Sequence, residues 1–171
     1  MEDFDVEEYI RIMVEGDENG NGANKLLKDL NFHFSTASNI GDMADMLYES
    51  RDYENHFVLV DTNTSNTQMQ RGGGFNETMQ YTCFMLMRFE PGDEKDRKAK
   101  RKICRKIQRS ILSKILLDGE TFEEDELQFF DTQNILTQYI QDFMLNGLTG
   151  MWFVFQLPEP RDLRYNKNEW N

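Results

Sequence analysis

Asp17, Asn19 and Asn21, followed by Gly22, stand at the alternate spacing with which a calcium-binding loop opens. Such a loop needs oxygen ligands at positions 1, 3 and 5, a glycine for the sharp turn and a bidentate glutamate at position 12. Position 12 here is Lys28, and an ammonium group there opposes a cation. The segment therefore reads as a flexible acidic turn. Gly72-Gly73-Gly74 has no Lys-Ser/Thr partner and opens no helix, so it reads as a flexible loop tip rather than a phosphate cradle. His33 and His56 are the chain's two histidines. A general base needs an orienting partner and a nearby nucleophile, and the sequence places neither beside them. His56 opens an apolar run and reads as structural. Asp61 closes that run, a position open to an active-site carboxylate and equally to an ordinary strand end. Glu123-Glu124-Asp125-Glu126 reads as a solvated loop. Cys83 and Cys104 lack metal-ligand spacing and read as two reduced core thiols. No catalytic, cofactor or metal constellation can be assembled, so the expectation is a protein that is not an enzyme.

The residues with the strongest chemical signal are cations. Between Asp93 and Leu117 lie ten of the chain's 19 basic residues and three of its 31 acidic ones, a net of +7. The other 146 residues hold nine basic groups against 28 acidic ones, a net of −19. Ile103, Ile107, Ile111 and Ile115 recur every four residues, which predicts a helix with an apolar stripe. At about 100° per residue, Lys98, Arg101, Lys102, Arg105 and Arg109 group away from that stripe. Ile111-Leu112 and Ile115-Leu116-Leu117 are apolar nearly all round, which predicts burial of that end. The charged side can be a solvated face, a contact for an acidic protein surface including another copy, or a phosphate contact. Aromatic side chains that could stack bases are missing from it.

The elements that must position this helix follow from pattern. Phe4–Val14 predicts a short amphipathic helix with acids in its first turn. The run Glu15–Gly22 breaks it. Helical stretches are predicted around Ala23–Leu30 and Asp42–Tyr48, with Asn31–Ile40 ambiguous between them. His56–Asp61 and Gln80–Phe89 predict two strands, joined by a polar loop over 62–78 that lacks the apolar surface to order itself. Pro91-Gly92 ends the second strand, Asp93 can cap the basic helix, and Asp118-Gly119 supplies its stop. Leu127–Phe130 is a short strand candidate. Residues 135–145 fit strand or helix; the Asn146-Gly147 turn favours strand, paired with Met151–Leu157. Pro158 and Pro160 end that last strand. The expectation is one α+β domain over 1–160: a helical part at 1–50, then an antiparallel sheet of two hairpins packed on one long helix over 55–157. Residues 161–171, with Tyr165 and Trp170, form an extended arm.

No apolar run approaches the ~20 residues that cross a bilayer, and Met1-Glu2-Asp3 begins without a basic or apolar leader. The expected setting is a cytosol, or a particle assembled there, with no membrane partner. A net charge of −12 disfavours loose polyanion binding over the whole surface.

In its order of elements the chain resembles tailed-phage tail-terminator (tail-completion) and head–tail connector (neck) proteins. The likeness rests on H-F-V-L-V-D at 56–61, the Gly-rich segment at 62–78 and Y-T-C-F-M-L-M-R-F at 81–89. The helix at 93–117 and N-G-L-T-G-M-W-F-V-F-Q-L at 146–157 complete it, over roughly residues 50–160. The resemblance implies a virion subunit, assembled in the host cytoplasm, forming a homo-oligomeric ring, hexameric or dodecameric. DNA would pass through an acidic lumen without specific binding, and neighbouring connector or tail proteins would be partners. Lys98, Arg101, Lys102, Arg105 and Arg109 would then make assembly contacts. The Gly72-Gly73-Gly74 loop and the arm carrying Tyr165 and Trp170 would order on neighbouring rings.

Overall fold

The computed structural model describes residues 4–69, 75–121, 130, 135–140 and 147–161. The fold is α+β, with a mostly antiparallel five-stranded sheet. Helix α1 (Val6–Glu15) starts at Asp5, whose carboxylate accepts from the Glu8 amide, and ends at Gly16. Helix α2 (Lys25–Asp29) is capped by Asn24. Strand β1 (Phe32–Ala37) leads into α3 (Ile40–Glu49), capped by Asn39, and then β2 (Asn55–Met69). Strand β3 (Phe75–Arg88) returns antiparallel to β2. Helix α4 (Glu94–Thr121), edge strand β4 (Leu136–Tyr139) and β5 (Leu148–Arg161) follow. The strand order is β1-β2-β3-β5-β4, and β1 alone runs parallel to its neighbour, with α3 as the crossover.

Alternation along each strand builds two cores. Phe57 and Leu59 of β2, Cys83, Met85 and Met87 of β3, and Met151, Phe153, Phe155 and Leu157 of β5 share one face. Onto it pack Ile10, Met13 and Val14 of α1, and Cys104, Ile107, Ile111 and Ile115 of α4. The other face carries Val58, Val60, Phe84 and Leu86, covered by Met43 and Leu47 of α3. The long helix thus covers one sheet face, as the sequence pattern predicts.

Several sequence expectations are corrected. The segment 62–78 is not a long loop: β2 runs to Met69 and β3 begins at Phe75, with Ser65 to Met69 paired to Met79 back to Phe75. Polar Asn, Ser and Thr side chains conceal a strand when neither face needs an apolar core. Alternating threonines suit an extended backbone, and β5 pairs the far side of β3 out to Phe75. Pro158 and Pro160 do not end β5; they pair opposite Thr78 and Asn76. They are two apart, so their missing N–H groups fall on the same side. Beyond Val154 no described residue pairs with the flank of β5 away from β3, and a strand flank without a ladder partner tolerates proline.

Asp118-Gly119 does not stop α4, which continues to Thr121 with both residues buried. Asp118 accepts from the Tyr9 hydroxyl of α1 at 2.6 Å and pairs with Lys114 one turn back on its own helix, so a tertiary and a local contact hold it within the helix. The end of α4 is not buried all round, since Leu116 and Leu117 are exposed. The first 50 residues are not purely helical, because β1 joins the common sheet. The ambiguous 31–40 segment contains that strand, its alternation Phe32/Phe34 being too short to separate from helix. Of the proposed strand at 135–145, residues 136–139 are strand, and 141–146 lie outside the described residues. Of Leu127–Phe130 only Phe130 is described, and it is not in a strand.

Candidate assembly surface

Helix α4 begins as its sequence dictates. The Asp93 carboxylate accepts from the amides of Lys95 and Asp96 at 2.9 and 3.0 Å. In the first turns the helix neutralises its own cations: Arg97 pairs with Glu94, Lys98 lies 3.6 Å from Glu94, and Lys100 lies 3.1 Å from Asp96. After Asp96 no acid occurs in the sequence until Asp118. Lys102, Arg105, Lys106 and Arg109 are exposed, and none has an ion pair among the described residues. Their angular positions span an arc of about 100°, so they form one outward row.

Arg101 departs from the expected grouping. It is half-buried, and its guanidinium donates to the Ile140 carbonyl at 2.7 Å and to Thr149 Oγ1 at 3.2 Å. It also lies over the Tyr139 ring, 5.4 Å from the centroid. Gln108, buried one turn pair further on, donates to Thr137 Oγ1 at 2.5 Å. Together they fasten edge strand β4 to the helix. The cause is geometric. A row of residues four apart advances about 40° per step around a helix, so the isoleucine row winds rather than marking a fixed face. Ile103 is only partly buried while Ile115 is buried, and the true buried arc takes in Cys104 and Gln108 and reaches the flank of Arg101. Lys106, which the sequence grouping omitted, belongs to the exposed row instead. Gly72, Gly73, Gly74, Tyr165 and Trp170 lie outside the described residues.

A second charged surface lies where β1 finishes, beside Leu59 and Asp61 in the middle of β2. A cleft of about 770 Å³ opens between the starts of α1 and α3, the end of β1 and the middle of the β2–β3 pair, lined by Asp5, Glu7, Asp42 and Asp61 together with Thr36 and Tyr81. Among the described residues no basic side chain lines it.

The other sequence candidates are accounted for locally. Asp17 Oδ1 accepts from the amides of Asn19 and Asn21, both at 2.8 Å, and these backbone bonds hold its carboxyl below the usual carboxylate range. Lys28 Nζ donates to the Gly20 carbonyl at 3.3 Å, closing the turn with the cation that replaces the twelfth calcium ligand. His33 stacks on Tyr53 with ring centroids 4.0 Å apart, and its Nδ1 lies 3.9 Å from Glu15. His56 is 1% exposed, and its Nδ1 has no hydrogen-bond partner among the described residues. Burial holds its imidazole below the ordinary value. Cys83 and Cys104 are free and buried; burial pushes the Cys104 thiol up to about 12. Among the described residues no three His, Cys, Asp or Glu side chains are grouped to hold a metal, and no helix is long and apolar enough to cross a membrane.

The sequence matches no protein-family model and no curated protein.

Proposed function

We propose that this chain is a non-enzymatic structural subunit of a phage-type particle, forming a ring at the head–tail connector or tail terminus and joining neighbouring rings. The observation that carries the reading is the row Lys102, Arg105, Lys106 and Arg109: exposed, without an ion pair among the described residues and mounted on one helix, in a chain of net charge −12. Unpaired cations on an acidic protein favour contact with another acidic protein surface, and a second copy is the nearest supply of one. The α+β arrangement, with the long helix over one sheet face, agrees with the pattern-level likeness to tail-terminator and neck proteins. The same reading places the protein in the virion, after assembly in the host cytoplasm, with DNA threading past rather than bound.

Native mass spectrometry of the purified chain at low and high salt tests it. A closed oligomer that dissociates with salt is the expected result. A monomer at high concentration that also fails to incorporate into particles refutes it. The same four cations support a second reading, a nucleic-acid accessory protein. That reading requires affinity for duplex DNA falling with log salt at a slope of about −0.9 per phosphate contact, near −3.6 for four contacts.

A further inference from the structure

We infer that His33 and His56, gathered around Tyr53, form a proton-operated latch that fastens edge strand β1 and the 50–54 link to the sheet and releases them as the imidazoles take up charge. The two histidines are register partners on the parallel neighbours β1 and β2. Side chains alternate along a strand, and Phe32, Phe34 and Phe57 belong to the core under α1 and α4. His33 and His56 therefore share the opposite face, on strands about 4.8 Å apart. Tyr53 joins them. Its ring stacks on His33 with centroids 4.0 Å apart and 7° between the planes, and it meets His56 edge-on at 6.4 Å. His33 Nδ1 also lies 3.9 Å from Glu15 Oε1, and the same oxygen accepts from the Phe34 amide at 3.1 Å, tying the end of α1 to β1.

The two rings differ in what surrounds a proton. The His33 side chain is partly exposed and has the Glu15 carboxylate beside it. His56 is 1% exposed, and its Nδ1 has no hydrogen-bond partner among the described residues. Charge on His56 is desolvated, and it is opposed from two sides, by His33 on β1 and Arg88 on β3. Arg88 is fixed there, its guanidinium donating to the Arg51 carbonyl at 2.9 Å and its amide to the Glu54 carbonyl at 2.9 Å. The Tyr53 backbone favours the charged ring, but burial is the larger effect. Other charged groups border the cavity that His56 touches: Arg51 and Glu54 of the link, Glu90 after β3, and Asp96 with Lys100 on α4. Asp96 is engaged by Lys100, and among the described residues no carboxylate forms an ion pair with His56. From α3 the cavity receives Tyr48 and two apolar side chains, Ala44 and Leu47. Charge on His56 therefore costs less once the link and β1 move off and water reaches the ring. The rest of the sheet need not follow, since β1 is an edge strand of 6 residues while β3 and β5 are 14 residues each and paired throughout.

The test is hydrogen exchange on the full-length chain at about pH 7.5 and about pH 5.5, corrected for the intrinsic pH dependence of amide exchange. An imidazole that stays neutral in the closed form and titrates near its ordinary value of about 6.5 in the open form changes the opening equilibrium about tenfold over that interval. Protection of segments 32–37 and 50–54 should therefore fall about tenfold on acidification and recover on return, while 83–87 and 151–157 keep theirs. His56→Leu should abolish the fall. His33→Phe keeps a ring on Tyr53 but cannot charge; it should raise the titration midpoint of His56, read from its imidazole proton resonances, and shrink the fall. That second variant decides the matter if His56→Leu does not fold. The inference is overturned if protection in the parent does not change with pH, or if it falls equally in all strands, as in a global acid transition. It is overturned as well if the variants lose protection as the parent does, or if His33→Phe leaves the His56 midpoint where it was.

Discussion

Arg101 and Arg105 stand one turn apart on α4, yet the structure gives them opposite roles, and alanine at each position separates fold from surface. Arg101→Ala removes a charge-assisted hydrogen bond to the Ile140 carbonyl at 2.7 Å, worth about 1.5–3 kcal/mol. It also removes the contact over the Tyr139 ring, worth about 0.5–1 kcal/mol. The fully buried Thr149 loses its partner at 3.2 Å. The expected destabilisation is about 2–4 kcal/mol, and Arg101→Lys recovers only part, since one ammonium cannot span both acceptors as the fork does. Arg105 is exposed and has no ion pair among the described residues, so Arg105→Ala should change stability by no more than about 0.5 kcal/mol. Urea denaturation followed by circular dichroism gives both values. Hydrogen exchange at β4 should accelerate in the Arg101 variant first, since among the described residues that strand is otherwise held by β5 and by Gln108. Equal denaturation midpoints for the two variants refute the assigned role of Arg101.

Gly150→Ala should destabilise by at least about 3 kcal/mol, because its Cβ would overlap the Met85 carbonyl oxygen inside the sheet, where backbone cannot yield; a melting temperature within a few degrees of the parent would contradict the tight β3–β5 approach. His56 gives a pH prediction. Burial depresses its folded-state value below the ordinary 6.5, so the unfolded chain takes up a proton that the native state resists. The associated stability is present above 6.5 and is lost as pH falls below it toward the folded value. His56→Leu should flatten the decline of the urea midpoint between about pH 7 and 5. Parallel profiles for parent and variant would remove His56 as the cause.

The parts legible in the sequence are those where burial imposes a period. The strand at 56–61, its return at 81–88, β5 from Met151 and the α4 helix each bury an apolar face, and each is found. What escaped detection has no such imprint. The outer half of the β2–β3 hairpin is polar in sequence yet paired, and β5 carries its prolines where no described residue pairs with its flank away from β3. Asp118-Gly119 looks like a helix stop because the sequence does not reveal that Tyr9 and Lys114 will hold the aspartate. At the candidate surface, net charge was legible but its allocation was not.

That allocation bears most on function. The segment's +7 is not the charge that a partner meets. Arg97, Lys98 and Lys100 are taken by acids of the helix itself, Lys114 by buried Asp118, and Arg101 by the carbonyl and ring of β4. What the middle of the helix offers outward is Lys102, Arg105, Lys106 and Arg109. The reason is spacing: an acid neutralises a helical cation only from three or four residues away, and none stands at those distances from these four. Adding one acid at such a position, without touching a cation, would therefore silence part of the row while leaving the core unchanged. The exposed Ser113 lies four residues beyond Arg109 and is a suitable place for it. A surface built this way is specified by where acids are absent as much as by where cations stand. It therefore remains available to an acidic neighbour even though the whole chain is strongly negative.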